Sequence, residues 1–310
     1  MSRIFDALQR SGAEQSGIEY PDMMTVATTI FEAPPDQAPV ESVKLEDLPA
    51  EIPASQEQLP VNLSTPDVAE ERPTSYPAFP SLDVSVPSDS RLVFLTQPES
   101  LAAEKFRFLG VRLRQMRQNR ALKKVLITST IPEEGKSLVS ANLAGVLARR
   151  KERVLLIDGD LRRPVLARNL GLGKLAGLAE SLQESENKAH IYHLTGPGFW
   201  FMPAGHHPPE NSLELMQSGR LSGLVSQLTT LFDWIIVDSP PLLPLADTTV
   251  WSRLTDGTLL VTREGKSEKK PLERALESIK KADLLGVVLN ACSEPDHDYY
   301  YHRYSPGPSK

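Results

Sequence analysis

Three apolar runs, each ending in residues able to meet a phosphate or a metal ion, limit the folds open to this chain. Lys124-Val125-Leu126-Ile127-Thr128-Ser129 leads into Thr130-Ile131-Pro132-Glu133-Glu134-Gly135-Lys136-Ser137. Val154-Leu155-Leu156-Ile157 stops at Asp158-Gly159-Asp160, and Trp234-Ile235-Ile236-Val237 stops at Asp238. Short continuous apolar runs are the mark of strands buried on both faces, which occur in parallel sheets covered by helices. Further strands are expected at 199–202, 257–262 and 285–290. Helical spacing fills the gaps, at about 99–116, 137–149, 161–183 (broken by Gly171 and Gly173), 211–217, 219–231, 246–253 and 270–282. The expected fold is therefore α/β, a P-loop NTPase-type parallel sheet with helices on both faces. Ligands of such sheets bind at the carboxyl ends of the strands, where all three special endings fall.

Composition divides the chain. Residues 1–90 hold 12 of the 26 prolines and carry 4 basic against 16 acidic residues, a balance of −12. With −6 for the whole chain, residues 91–310 carry +6. Residues 1–90 are expected to be mostly disordered, because they cannot bury enough apolar surface to offset the entropy of ordering. A short amphipathic helix over 2–10, with Ile4, Phe5 and Leu8 on one side, is the exception. Residues 91–292 are expected to form the folded domain, and 293–310 a flexible polar tail. The surplus of +6 is modest and no groove-reading motif accompanies it, so nucleic acid is not an expected partner.

Cys292 is the one cysteine, which excludes a disulfide within the chain; at the end of an apolar run it is expected to be buried. No run approaches the ~18 apolar residues of a membrane-spanning helix. The N-terminus lacks a signal-peptide core, and Ser2 stands where myristoylation needs glycine. The expected location is cytoplasmic, with any recruitment to the inner face of the plasma membrane made by a partner.

The residue types at the three endings fit a nucleoside triphosphate with Mg2+. The loop Thr130–Ser137 can wrap phosphates with backbone N–H groups, and the helix opening at Lys136 turns its positive end to the anion. Thr130, Pro132, Glu134, Gly135, Lys136, Ser137 and Leu138 form the expected nucleotide-binding set. Lys136 is expected on the β- and γ-phosphates and the Ser137 hydroxyl on the metal. A cation at a helix N-terminus is unfavourable without an anion to meet. Thr130 replaces the first glycine of the usual G-x-x-x-x-G-K-[ST] loop. Glu133 adds a carboxylate that costs affinity unless it points to solvent. Asp238 and Asp158 are expected metal ligands. Asp158 and Asp160, two residues apart on one face, are candidates for metal ligand and general base. Arg162 is expected to steady the site or the incoming tail, and Asn290 either touches adenine or caps a turn.

These motifs resemble those of the bacterial tyrosine autokinases (BY-kinases) of capsule and exopolysaccharide export. The likeness runs from about 91 to 305. The loop resembles that family's Walker A element, Val154 through Pro164 with its Asp-Leu-Arg-Arg-Pro ending resembles Walker A′, and Ile235 through Pro241 resembles Walker B. Pro203-Ala204-Gly205, Pro208-Pro209 and Asp247 also have counterparts. The tail Asp298-Tyr299-Tyr300-Tyr301-His302-Arg303-Tyr304 is similar to the family's tyrosine cluster and holds four of the chain's seven tyrosines. The resemblance implies that ATP phosphorylates Tyr299, Tyr300, Tyr301 and Tyr304 in trans within a homo-oligomer. It also implies a membrane polysaccharide co-polymerase as activator and a cognate tyrosine phosphatase. Four phosphates would add roughly −6 to −8 charges to one tail, enough to repel neighbouring subunits. The family's E-x-x-R-x-x-R oligomerisation motif falls on Glu104, Arg107 and Gly110, with glycine in place of the second arginine. Two other readings stand beside the kinase. One is a ParA/MinD-like ATPase switch, although Ile131 occupies the place of its signature lysine. The other is an ATP-binding regulator with little catalysis.

Overall fold

Side chains alternate along the buried strands, and that alternation sorts the core into two layers. The computed structural model describes residues 79–84, 86, 90–184, 188–206, 211–243, 247–279 and 283–292. The elements in chain order are β1 (Ser81–Leu82), α1 (Val93–Thr96), α2 (Leu101–Asn119), β2 (Lys124–Ser129), α3 (Lys136–Ala148), β3 (Val154–Asp158), α4 (Leu166–Asn169) and α5 (Leu178–Gln183). Then come β4 (Tyr192–Leu194), β5 (Phe199–Met202), α6 (Ser212–Gln217), α7 (Gly219–Leu231), β6 (Trp234–Asp238), α8 (Asp247–Leu254), β7 (Gly257–Arg263), α9 (Lys269–Ser278) and β8 (Leu284–Asn290).

Val125, Ile127, Val154, Leu156, Trp234 and Ile236 face one side of the sheet and pack with Leu113 of α2 and Leu143, Ala144 and Leu147 of α3. The residues between them, Leu126, Leu155, Ile157, Ile235 and Val237, face the other side. There they meet Leu178 and Leu182 of α5, Leu221, Val225 and Leu228 of α7, and Trp251 of α8. Both faces are covered, which is why these strands read as unbroken apolar runs.

The eight strands lie in the order β1-β4-β5-β3-β6-β2-β7-β8. From β5 to β8 every neighbouring pair is parallel. The expected all-parallel sheet needs one correction: β4 runs antiparallel to β5, with β1 parallel to β4 at the edge. The hairpin turn is Thr195-Gly196-Pro197-Gly198, where Gly198 has φ +76° and its N–H donates to Leu194 O at 2.8 Å. A three-residue strand is too short for periodicity to reveal.

Order begins earlier than the expected residue 91. Phe79 stacks on Phe232 with ring centroids 6.1 Å apart, and Leu82, Val84 and Val86 pack against the first core layer. The expected helix at 161–183 is two short helices, and Gly171 at φ +71° follows the first. Cys292 is exposed, because the chain has already run past the edge of the sheet; its thiol donates to Leu289 O at 3.3 Å. Gly110 is buried on the side of α2 that packs on α3, where an added Cβ would lie 3.3 Å from Val146 Cγ1. Position 110 therefore faces inward and could not present an arginine to another subunit. Glu104 and Arg107 pair with each other along the helix. The segment 2–10, Pro208-Pro209 and the tyrosines of the tail lie outside the described residues.

Candidate functional site

β3, β6 and β2 are adjacent and parallel, and their register aligns Asp158, Asp238 and Ile127 at the carboxyl end of the sheet. The loop after β2 therefore opens beside both aspartates. Gly135 turns the loop into α3 with φ +97°, and a Cβ there would stand 2.0 Å from Asn290 Nδ2. Glycine is required twice over, for the left-handed backbone and for the space. Glu133 also takes a positive φ, 65°. Among the described residues no carbonyl or side chain accepts the backbone N–H groups of Glu133 through Leu138, which leaves an arc of open donors at a helix N-terminus. Pro132 supplies no donor and shapes the exposed turn. Thr130, in the first-glycine position, is fully buried, and among the described residues its hydroxyl has no hydrogen-bond partner.

Lys136 is buried, with Nζ 3.4 Å from Asp160 Oδ2, 3.9 Å from Asp238 Oδ2 and 3.3 Å from Ser137 Oγ. Burial pushes its ammonium down, but Asp238, Asp160 and Asp158 outweigh that and hold it above the usual lysine value. Burial and then the Asp238 charge drive the Asp158 carboxyl well above its ordinary range. Burial likewise raises Asp238, with Lys136 and the Ser137 hydroxyl acting the other way. Three buried carboxylates thus face one ammonium.

The remaining contacts are specific. Ser140 Oγ donates to Asp238 Oδ1 at 3.2 Å, Leu166 N–H to Asp158 Oδ2 at 3.1 Å, and Arg163 N–H to Asp160 Oδ1 at 3.0 Å. Among the described residues nothing donates a hydrogen bond to Asp158 Oδ1 or Asp238 Oδ2, although both are buried. Unsatisfied buried carboxylate oxygens beside the Ser137 hydroxyl suit a divalent cation. Among the described residues no three His, Cys, Asp or Glu side chains form a metal cluster, so phosphate oxygens and water would have to complete such a shell.

Arg162 leaves this cluster and pairs with Asp247 at 2.7 Å, which ties the turn after β3 to the start of α8. Glu133 points to solvent, as a tolerable acid there must; it is 82 % exposed and meets Lys266 at 2.7 Å. Glu134 turns inward instead. Its carboxylate accepts Ile131 N–H at 2.9 Å and the Ser267 hydroxyl, so its side chain is occupied by the protein and only its N–H remains for a ligand. Asn290 donates to Glu134 O at 2.9 Å while its own Oδ1 accepts Ala291 N–H at 2.9 Å. It caps a turn and braces the loop.

The sequence reading missed Ser140 and Ser267. Ser140 had a signal, since it lies one helical turn after Lys136 on the buried face. Ser267 lies 130 residues from Ser137 in the chain and had none. A cleft of about 450 Å3 lined by Met216, Ser222, Thr249 and Arg253 shares no residue with this site.

Residues 125–302 match the family described as CobQ/CobB/MinD/ParA nucleotide binding domain. The chain is 33% identical over 220 residues to the tyrosine-protein kinase YwqD of Bacillus subtilis, covering 67% of this chain and 89% of that one. It is 33% identical over 206 residues to the succinoglycan biosynthesis transport protein ExoP of Rhizobium meliloti, covering 65% of this chain but 26% of that longer protein. Among solved structures it is similar to the kinase domain of the Escherichia coli tyrosine kinase ETK. The TM-score is 0.59 at 29% identity, over 66% of this chain and 82% of that one.

Proposed function

Since this chain belongs to the bacterial tyrosine-protein kinases, within the CobQ/CobB/MinD/ParA nucleotide-binding family, we propose that its substrates are ATP and the tyrosines of its own C-terminal segment, Tyr299, Tyr300, Tyr301 and Tyr304, presented by a neighbouring subunit. The observation that carries this reading is the buried ammonium of Lys136, set between Asp160 and Asp238 at the foot of an open arc of N–H groups.

The arc from Glu133 to Leu138 receives the β- and γ-phosphates. Lys136 moves from carboxylate to phosphate oxygens as they enter. Ser137, Asp158 and Asp238 would hold Mg2+, which would supply positive charge to offset that of the phosphate oxygens. The tyrosine oxygen attacks the γ-phosphorus, and the bond to the oxygen bridging the β- and γ-phosphates breaks as ADP leaves. The phenolic proton passes to a carboxylate. Asp160 suits that role better than Asp158, because it lies beyond the strand and is 4 % exposed where Asp158 is fully buried. Arg162, locked to Asp247, keeps the turn bearing Asp160 in place. Asn290 acts on the loop, and contact with adenine would add to that.

The biological role follows as part of the same reading: control of exopolysaccharide polymerisation and export. A membrane co-polymerase recruits and activates the kinase at the inner face of the plasma membrane, and a tyrosine phosphatase resets it. Among the described residues no helix is long and apolar enough to cross a membrane. Assembly into a homo-oligomer is supported by Phe108, 65 % exposed on α2 beside exposed Val111.

The test is phosphotyrosine mass spectrometry on the chain expressed in cells with and without a candidate co-polymerase, alongside Lys136→Met. Phosphate on the tail tyrosines that disappears in the variant is the expected result. An unmodified wild-type tail under both conditions would replace the kinase reading with an ATPase switch.

A further inference from the structure

The turn between β7 and α9 is joined to the phosphate loop by a partly buried connection. Ser267 Oγ accepts Arg263 N–H at 2.9 Å, which closes the turn around Gly265 at φ +72°. The same hydroxyl donates to the carboxylate of Glu134. Glu134 is fully buried and carries its charge from inside the loop to Ser267 and to Ile131 N–H. Its carbonyl is held by Asn290 from β8. Residue 134 is thus clamped at side chain and main chain, and it sits inside the arc of open N–H groups. A second link, Glu133 to Lys266, is largely in water.

We infer that Ser267 is a positioning residue for nucleotide binding: through Glu134 it fixes the curvature of the N–H arc that takes the phosphates. The inference rests on the reading of this loop as the ATP site. A buried carboxylate that loses one of two donors is destabilised where it sits. It reorients towards water or another donor, and the main chain of residue 134 moves with it. The N–H groups of Glu134 and Gly135 then leave the positions that converge on a phosphate. Asn290 and the buried Lys136 still anchor the loop, so affinity suffers more than folding does. The Glu133–Lys266 pair, being exposed, should have little effect.

The experiment is calorimetric titration of the full chain with MgADP, together with KM for ATP, kcat, and the melting temperature of the nucleotide-free protein. Ser267→Ala should weaken ADP binding about tenfold, the scale expected for one hydrogen bond to a charged group. It should raise KM for ATP by a similar factor and leave kcat within about twofold. Ser267→Thr keeps the hydroxyl and should restore most of the affinity. Glu134→Gln should weaken binding as Ser267→Ala does, and Lys266→Ala should leave it unchanged. Wild-type ADP affinity in Ser267→Ala would overturn the inference. So would a fall in affinity matched by a fall in the nucleotide-free melting temperature and not rescued by threonine, since that would mark a purely structural serine. ADP binding requires no phosphotransfer, so absence of kinase activity and absence of a positioning effect would register separately.

Discussion

Gly145 lies in the middle of α3, the helix that carries Lys136 and Ser137, and it touches the ring of Phe94 in α1. A Cβ added at 145 would fall 2.2, 2.3 and 2.5 Å from three ring carbons of Phe94. The ring has nowhere to go. Phe94 is 2 % exposed, its N–H donates to Asn142 Oδ1 at 3.3 Å, and its carbonyl accepts from Arg149. Gly145→Ala therefore has opposing effects. Helix propensity favours alanine by about 1 kcal/mol. Expelling the ring costs up to the value of a buried phenylalanine, about 3–5 kcal/mol. The net expectation is a loss of about 2–4 kcal/mol. Phe94→Ala alone should cost about 3–5 kcal/mol. In that background the obstacle is gone, and Gly145→Ala should turn stabilising by up to about 1 kcal/mol. The sign reversal is the diagnostic feature, and urea denaturation of the four proteins measures it as a coupling of about 3–5 kcal/mol. Additive effects would refute the contact, and with it the assignment of residues 93–96 to the packed fold.

Two further predictions concern positions away from the site. Restoring the family's oligomerisation arginine as Gly110→Arg should destabilise the chain by about 2–4 kcal/mol and not promote assembly, because position 110 faces Val146 and Leu147; thermal denaturation and sedimentation would report the two effects. Burial pushes the Glu180 carboxyl up, but N–H groups of His206 and Gly177 outweigh it and hold the group below its ordinary value of 4.5. As pH falls the unfolded chain takes the proton first, so this contribution is complete above about 4.5 and fades as pH drops through the folded value. Glu180→Gln should lower stability at neutral pH by only about 0.5–1 kcal/mol, given the partial exposure of the group. Its deficit against the wild type should shrink in acid, and a deficit constant down to pH 3 would contradict the assignment.

Much of the architecture was legible from local patterning. A buried parallel strand must be apolar at every position, so runs such as Trp234–Val237 announce themselves, and Asp158, Asp238 and the loop ending in Lys136 mark their carboxyl ends. A chain that places such endings on parallel strands must gather them at one end of the sheet, and from that the candidate site follows. Local patterning was silent where an element owes its existence to a neighbour. β1 and β4 are two and three residues long, and their hydrogen bonds come from adjacent strands and a hairpin. The inward face of Gly110 depends on where α3 lies, and the exposure of Cys292 on where the sheet stops. Asn290 and Ser267 reach Glu134 across 156 and 133 residues of chain. The sequence by itself determined the residue chemistry of the loop ending in Lys136 and of the aspartates beside it, because spacing and strand endings are local properties. Tertiary structure alone decided which carboxylates crowd Lys136, which glutamate faces water and which braces the loop, because those outcomes depend on contacts between segments that sequence distance does not encode.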